Sequence, residues 1–88
     1  MMKNEYEKGR VVVSLAGRNK GKFAVVLKVK ENRVYISDGK EYTVAQPKPK
    51  NPVHLECLPV ILQEYDFEFD SRLRKTLNRM KNQNNPGR

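Results

Sequence analysis

Three cations and an amide fall within five consecutive positions, Arg18-Asn19-Lys20-Gly21-Lys22, directly after Gly17. A guanidinium can grip a phosphate through two parallel N–H donors and stack on a base, and an ammonium acts as a mobile point charge. An asparagine amide can hydrogen-bond a base edge or a ribose 2′-hydroxyl. Gly17 and Gly21 allow φ > 0, so the chain can turn tightly and hold these groups on one small protrusion. An ordinary polar hairpin loop has a related composition, since Asn-x-Gly with Lys is common in turns. A solvated loop, however, needs no such density of charge, whereas a phosphate backbone attracts it.

Other reactive side chains are sparse. Lys48 and Lys50 alternate with Pro47, Pro49 and Pro52, which hold the segment extended. They are read either as further phosphate contacts or as a solubilising linker. Tyr35, two residues after Arg33, can stack a base or simply pack. His54 and Cys57 are three residues apart with no further ligand nearby, so a metal site or nucleophilic dyad is not expected. Cys57 stands alone, which rules out an intrachain disulfide and a CxxC site. There is no glycine-rich nucleotide loop and no carboxylate pair in apolar surroundings. The chain is therefore expected to be no enzyme and to use no cofactor and no metal.

The elements that would carry the loop follow from period-two patterning. Arg10–Leu15 and Phe23–Lys30 read as strands on either side of it, with Val11, Val13 and Leu15 on one face of the first and Phe23, Val25, Leu27 and Val29 on one face of the second. A turn at Glu31-Asn32 leads to a strand over Arg33–Ser37 that buries Val34 and Ile36 and exposes Arg33, Tyr35 and Ser37. Asp38-Gly39 predicts a hairpin into a fourth strand, Lys40–Ala45, with Tyr42 and Val44 inward. The prolines then end the sheet, Val53–Leu55 makes a helical turn, and Glu56–Gln63 closes the sheet with Pro59 at an edge or bulge. Short strands at this spacing predict an all-β fold, a small SH3-like barrel of about five strands spanning 5–63. Residues 64–70 alternate acid with aromatic, and either lay Tyr65, Phe67 and Phe69 on the barrel or form a loose acidic linker. Asp70 or Ser71 caps a short C-terminal helix over about 72–82, with Leu73, Leu77 and Met80 on one side and Arg72, Lys75 and Arg79 on another. That basic side can meet RNA, a protein partner or only solvent. Residues 1–8 and 83–88 are expected to be loose, so the second segment, 64–88, holds the acidic-aromatic stretch, the helix and a tail.

Gly9 to Val29 resembles a KOW motif, the strand-loop-strand element of ribosomal proteins and of transcription elongation factors that contact RNA polymerase. The segment Pro47-Lys48-Pro49-Lys50-Asn51-Pro52-Val53-His54-Leu55-Glu56 is similar to the basic stretch ending in Asn-x-x-His-Leu-Glu of one branch, the archaeal and eukaryotic large-subunit ribosomal protein family fourteen-e. Many KOW motifs carry a glycine where this chain has Ala24, and the fourteen-e branch tolerates a small residue there. The resemblance frames residues 9 to 56 and implies an SH3-like barrel that binds ribosomal RNA through Gly17–Lys22, with Lys48 and Lys50 in the second matched segment.

Charge points the same way. The 88 residues carry a net +8, with a pI near 9.8. Residues 1–50 hold twelve Lys/Arg against five Asp/Glu, 51–70 hold none against five, and 71–88 hold six against none. Clustered cations of this kind are the electrostatic footprint of a nucleic-acid binder. A domain this small buries only about 60% of its unfolded surface, which leaves little room for a deep substrate pocket. No apolar run approaches the ~20 residues of a membrane span, and the first residues do not read as a secretory signal. The expectation is a cytoplasmic RNA-binding protein, monomeric when free, with a structured RNA, ribosomal by the resemblance, as partner and neither a membrane nor a small-molecule substrate. The alternative is a protein-interaction module that docks on a partner such as the transcription machinery, with 64–70 as its docking surface.

Overall fold

The computed structural model describes residues 6–83, and the expected loose ends at 1–5 and 84–88 lie outside them. Five strands form one antiparallel sheet: β1 (Arg10–Ser14), β2 (Phe23–Lys30), β3 (Arg33–Ser37), β4 (Lys48–Lys50) and β5 (Leu55–Ile61), in the order β4-β3-β2-β1-β5. The sheet curls into a small SH3-like barrel, and one helix, α1 (Asp70–Gln83), follows it. No helix among the described residues is long and apolar enough to cross a membrane.

The β1–β2 hairpin lies at the centre because it is apolar on both faces. Its register sets Val11 opposite Val25 and Val12 opposite Ala24. Neighbouring residues of a strand point to opposite faces, so both rows must find cover. Val12, Ala24, Val26, Val34, Ile36 and Leu55 form the barrel interior, with Tyr6 and Cys57 packed against it. Val11 and Val25 face the other way and meet Phe67, Leu73 and Leu77, so α1 closes a second core on the outside of the sheet. Val11, Val12, Val25, Val26 and Leu73 are all fully buried. Two irregularities adjust the curvature. A bulge at Leu27 steps the β2–β3 register from Val26↔Ile36 to Lys28↔Tyr35, and the β1–β5 register shifts between Arg10 and Val12, opposite the stretch that contains Pro59.

Beyond β3 the chain departs from expectation. The hairpin at Asp38-Gly39 and the strand over Lys40–Ala45 do not form. Ser37, expected on the surface, is fully buried. Its hydroxyl donates to the Tyr42 carbonyl at 2.7 Å and accepts from the Gly39 N–H at 3.2 Å. The Asp38 carboxylate accepts the N–H groups of Lys40 and Tyr42. These local bonds capture the amides that a strand ladder would need. The resulting turn is fastened to the helix at two points: Val44 N–H donates to the Asp70 carboxylate at 2.8 Å, and the Arg74 guanidinium donates to the Gly39 carbonyl at 2.6 Å. The fourth strand instead forms at Lys48–Lys50, with Pro49 opposite Tyr35. An edge strand accepts a proline whose missing donor would point away from its only partner.

The acidic-aromatic stretch is ordered as a 3₁₀ turn, Glu64–Phe67. Only Phe67 of its three aromatics is buried, while Tyr65 and Phe69 are 65% and 55% exposed. The Arg72 guanidinium lies 3.8 Å from the Tyr65 ring centre and bonds the Tyr65 carbonyl and Glu68. Residues 6–8 are tied down rather than loose, since Tyr6 donates to the Pro52 carbonyl and Lys8 pairs with Glu64 at 2.8 Å. The hydrogen bond and charge of Lys8 hold the Glu64 carboxyl below its ordinary range. This contact therefore stabilises the fold above the ordinary carboxylate pKa and fades as pH falls through the lowered one.

Leu73 joins helix to hairpin, so Leu73→Ala should destabilise the protein by about 2–5 kcal/mol in urea unfolding, the usual range for a truncated core leucine. A change within ~0.5 kcal/mol, the scale of an ordinary surface substitution, would mean that α1 is not part of the cooperative unit.

Candidate nucleic-acid interface

The 15–22 loop is closed at its root and turned twice within itself. Gly21 N–H donates to the Ser14 carbonyl at 2.7 Å, and Ser14 N–H donates to the Lys22 carbonyl at 3.1 Å. Inside, Lys20 N–H reaches the Gly17 carbonyl and Lys22 N–H reaches that of Asn19. Gly17 and Gly21 take φ of +84° and +86°, the left-handed values that these turns require. An added Cβ at either would meet nothing within 4 Å.

The candidate residues divide by role. Arg18, Lys20 and Lys22 stand exposed. Arg18 forms an ion pair with Glu41 of the 38–44 turn, and its own side chain remains 76% exposed. Among the described residues neither Lys20 nor Lys22 has an acidic partner. Asn19 differs, being 7% exposed, with its amide nitrogen donating to the Tyr42 hydroxyl at 2.7 Å. It anchors the loop to the turn, with its side chain directed inward rather than to solvent. The Lys48 ammonium sits 5.8 Å from the centre of the same Tyr42 ring, which brings β4 to the side of the loop. Lys50 lies two residues along β4, opposite Val34, and is half-buried. The loop and Lys48 thus form one cationic face with Lys50 at its flank.

Sequence reasoning missed Glu41 and Tyr42 as loop partners, because both belonged to an expected strand. It also missed Lys40, Arg74 and Lys81, which share an open groove with Lys22. Lys28 lies 5.0 Å from the Tyr35 ring centre, so that tyrosine already carries a cation on its face. The basic side expected on α1 is partly engaged, with Arg72 held against Tyr65. His54 is exposed, and its backbone carbonyl accepts from Leu15 N–H. Among the described residues no three His, Cys, Asp or Glu side chains gather where a metal ion could be held.

Comparison with protein-family models finds no match to this chain, and comparison with curated protein sequences finds none either.

The loop glycines and Gly39 separate two sources of strain. Gly17→Ala or Gly21→Ala should cost about 1–2 kcal/mol, the penalty of left-handed backbone for an L-residue. Gly39→Ala should cost more, since its φ is also positive and its Cβ would lie 2.6 Å from the Asp70 carbonyl oxygen. Urea denaturation of the three variants tests the ranking, and equal costs would show that the turn shifts freely away from α1.

Proposed function

We propose that this chain binds structured RNA, with ribosomal RNA of the large subunit as the favoured partner, through the cationic 17–22 loop with Lys48 and Lys50 beside it. The observation that carries the reading is the loop itself. Arg18, Lys20 and Lys22 project from a scaffold closed by backbone bonds, and Asn19 pins that scaffold to Tyr42. Charges held ready in this way meet a phosphate backbone without first being ordered, which lowers the entropic cost of binding. Affinity then comes mainly from phosphate neutralisation, and selectivity from the shape of the RNA. The resemblance of Gly9–Val29 to a KOW motif, and of Pro47–Glu56 to the fourteen-e ribosomal family, supports ribosomal RNA over other polyanions. A ribosomal role would put the chain in the cytoplasm and asks for no cofactor and no bond chemistry.

The Arg18–Glu41 pair adds a detail of mechanism. Glu41 occupies the guanidinium that a phosphate would take, so binding must exchange a carboxylate for a phosphate. An exposed pair is worth at most about 1 kcal/mol, so the exchange is readily reversible.

Fluorescence anisotropy with a labelled RNA stem-loop tests the reading. Neutralising about four to six phosphates gives a slope of log K against log salt of roughly −3 to −5. Replacing Arg18, Lys20 and Lys22 together by Ala should flatten that slope by about two to three. Stability should move by no more than about 1 kcal/mol, the upper worth of the Arg18–Glu41 pair that is lost. Glu41→Gln should tighten binding by up to about fivefold, the equivalent of the ion pair it removes. A flat salt response, or no binding at low salt, would sink the proposal.

A second reading, docking on a protein partner such as the transcription machinery, is favoured by the exposed Phe69 and by the exposed Tyr65, which with Leu27, Val44, Phe67 and the charged Lys8, Glu64 and Glu68 lines an open cavity of about 550 Å³. Because Phe67 is part of the second core, deleting 64–70 would confuse docking with unfolding, and Tyr65→Ser with Phe69→Ser is the cleaner probe. In a low-salt sucrose gradient, RNA binding predicts co-sedimentation with large-subunit particles that salt releases and the double variant keeps. Sedimentation with polymerase, lost in that variant, would establish the second reading instead.

A further inference from the structure

The geometry points to a second phosphate-backbone subsite in the groove between the root of the loop, the 38–44 turn and α1, in which Lys22, Lys40, Arg74 and Lys81 take the strand that leaves the loop. This inference rests on the RNA-binding reading and extends it to residues that the loop alone does not include.

The groove is open and holds about 490 Å³. Its four cations come from three separate elements and converge on it. Lys22 belongs to both the loop and the groove, so the two surfaces are continuous. On the helix, Arg74, Leu77, Asn78 and Lys81 follow the i, i+3, i+4, i+7 spacing of a single face. Leu77 is buried and forms the floor together with Phe23, leaving the polar members at the rim. Arg74 is fixed in place by its 2.6 Å bond to the Gly39 carbonyl, which uses one of five guanidinium donors. Among the described residues none of the four cations has an acidic partner. The one acid in the groove, Asp38, already accepts the N–H groups of Lys40 and Tyr42 with its carboxylate. Four cations against one carboxylate leave an excess of positive charge in the groove. The apolar floor and the amide of Asn78 suit a ribose-phosphate segment better than an isolated ion.

The test compares two charge-matched double variants of the full chain by anisotropy on the same labelled RNA stem-loop across a salt series. Lys40→Gln with Lys81→Gln removes two groove cations, neither of which makes an ion pair among the described residues. Lys75→Gln with Arg79→Gln removes two exposed cations of the same helix that do not line the groove. The groove variant should bind about tenfold more weakly at low salt and lose about one to two units of salt slope, while the control changes by about threefold or less. Equal losses in both variants would overturn the subsite in favour of diffuse attraction by net charge. Unchanged binding in the groove variant, with wild-type binding intact, would overturn the subsite and leave the loop reading standing. Failure of the wild-type chain to bind the stem-loop at low salt would overturn both.

Discussion

Adjacent valines of one strand point in opposite directions, and both β1 and β2 carry apolar residues on each side. Val12 and Val26 therefore need a barrel interior, and Val11 and Val25 need something outside it. A barrel alone would leave the second row in water, at a cost of about 1.5–3 kcal/mol for each exposed large side chain. Helix α1 and Phe67 supply the missing cover. The rest of the molecule follows from that demand. The helix must lie against the hairpin, and the 38–44 turn is held where Asp70 and Arg74 can reach it.

The same demand positions the charge. The loop between β1 and β2 is the tip of the most buried hairpin in the fold, so its root cannot move without disturbing both cores. Three cations crowded at that tip repel one another, and the fold offsets this with Glu41 at Arg18 and with exposure of all three heads to a high-dielectric solvent. Asn19 shows how position is kept while charge stays outside. It turns inward among cations that turn outward, and its single bond to Tyr42 joins the loop to a turn that is itself bound to the helix. A rigid base with solvated heads is an arrangement that a mobile polar loop does not provide.

How far the sequence could be read depended on whether the signal was local. The spans Phe23–Lys30 and Arg33–Ser37 and the start of β1 match the expected bounds, although burial breaks the alternation past the bulge at Leu27, where Val29 is exposed, and at Ser37, which is buried. The fourth strand failed because Asp38-Gly39 resembles a hairpin turn, while Ser37 and Asp38 have side chains able to take the same amides. Nothing nearby in sequence says which wins, since the deciding partners, Asp70 and Arg74, lie more than 25 residues away. The loop cations were legible from composition alone. The inward turn of Asn19 was not, because it depends on where Tyr42 ends up. On the helix, Arg72, Lys75 and Arg79 were visible as charge. Arg74 and Lys81 became meaningful only once Leu73 and Leu77 had fixed which face lies against the sheet.

In a domain this small, stability and the cationic surface depend on the same helix. In a larger domain the core-forming and ligand-facing surfaces can belong to different elements. Here one helix buries Leu73 and Leu77 against Val11 and Val25 and carries Arg74 and Lys81 at the edge of the same contact. Arg74 does both at once, since the guanidinium that lines the groove also holds the Gly39 carbonyl. The orientation of the cationic groove is therefore fixed by apolar packing, which is insensitive to salt, whereas the attraction for phosphate proposed for it is strongly salt-dependent. A surface built this way keeps its shape when salt screens its charge, so on the proposed reading release of a polyanion requires no unfolding and rebinding requires no refolding.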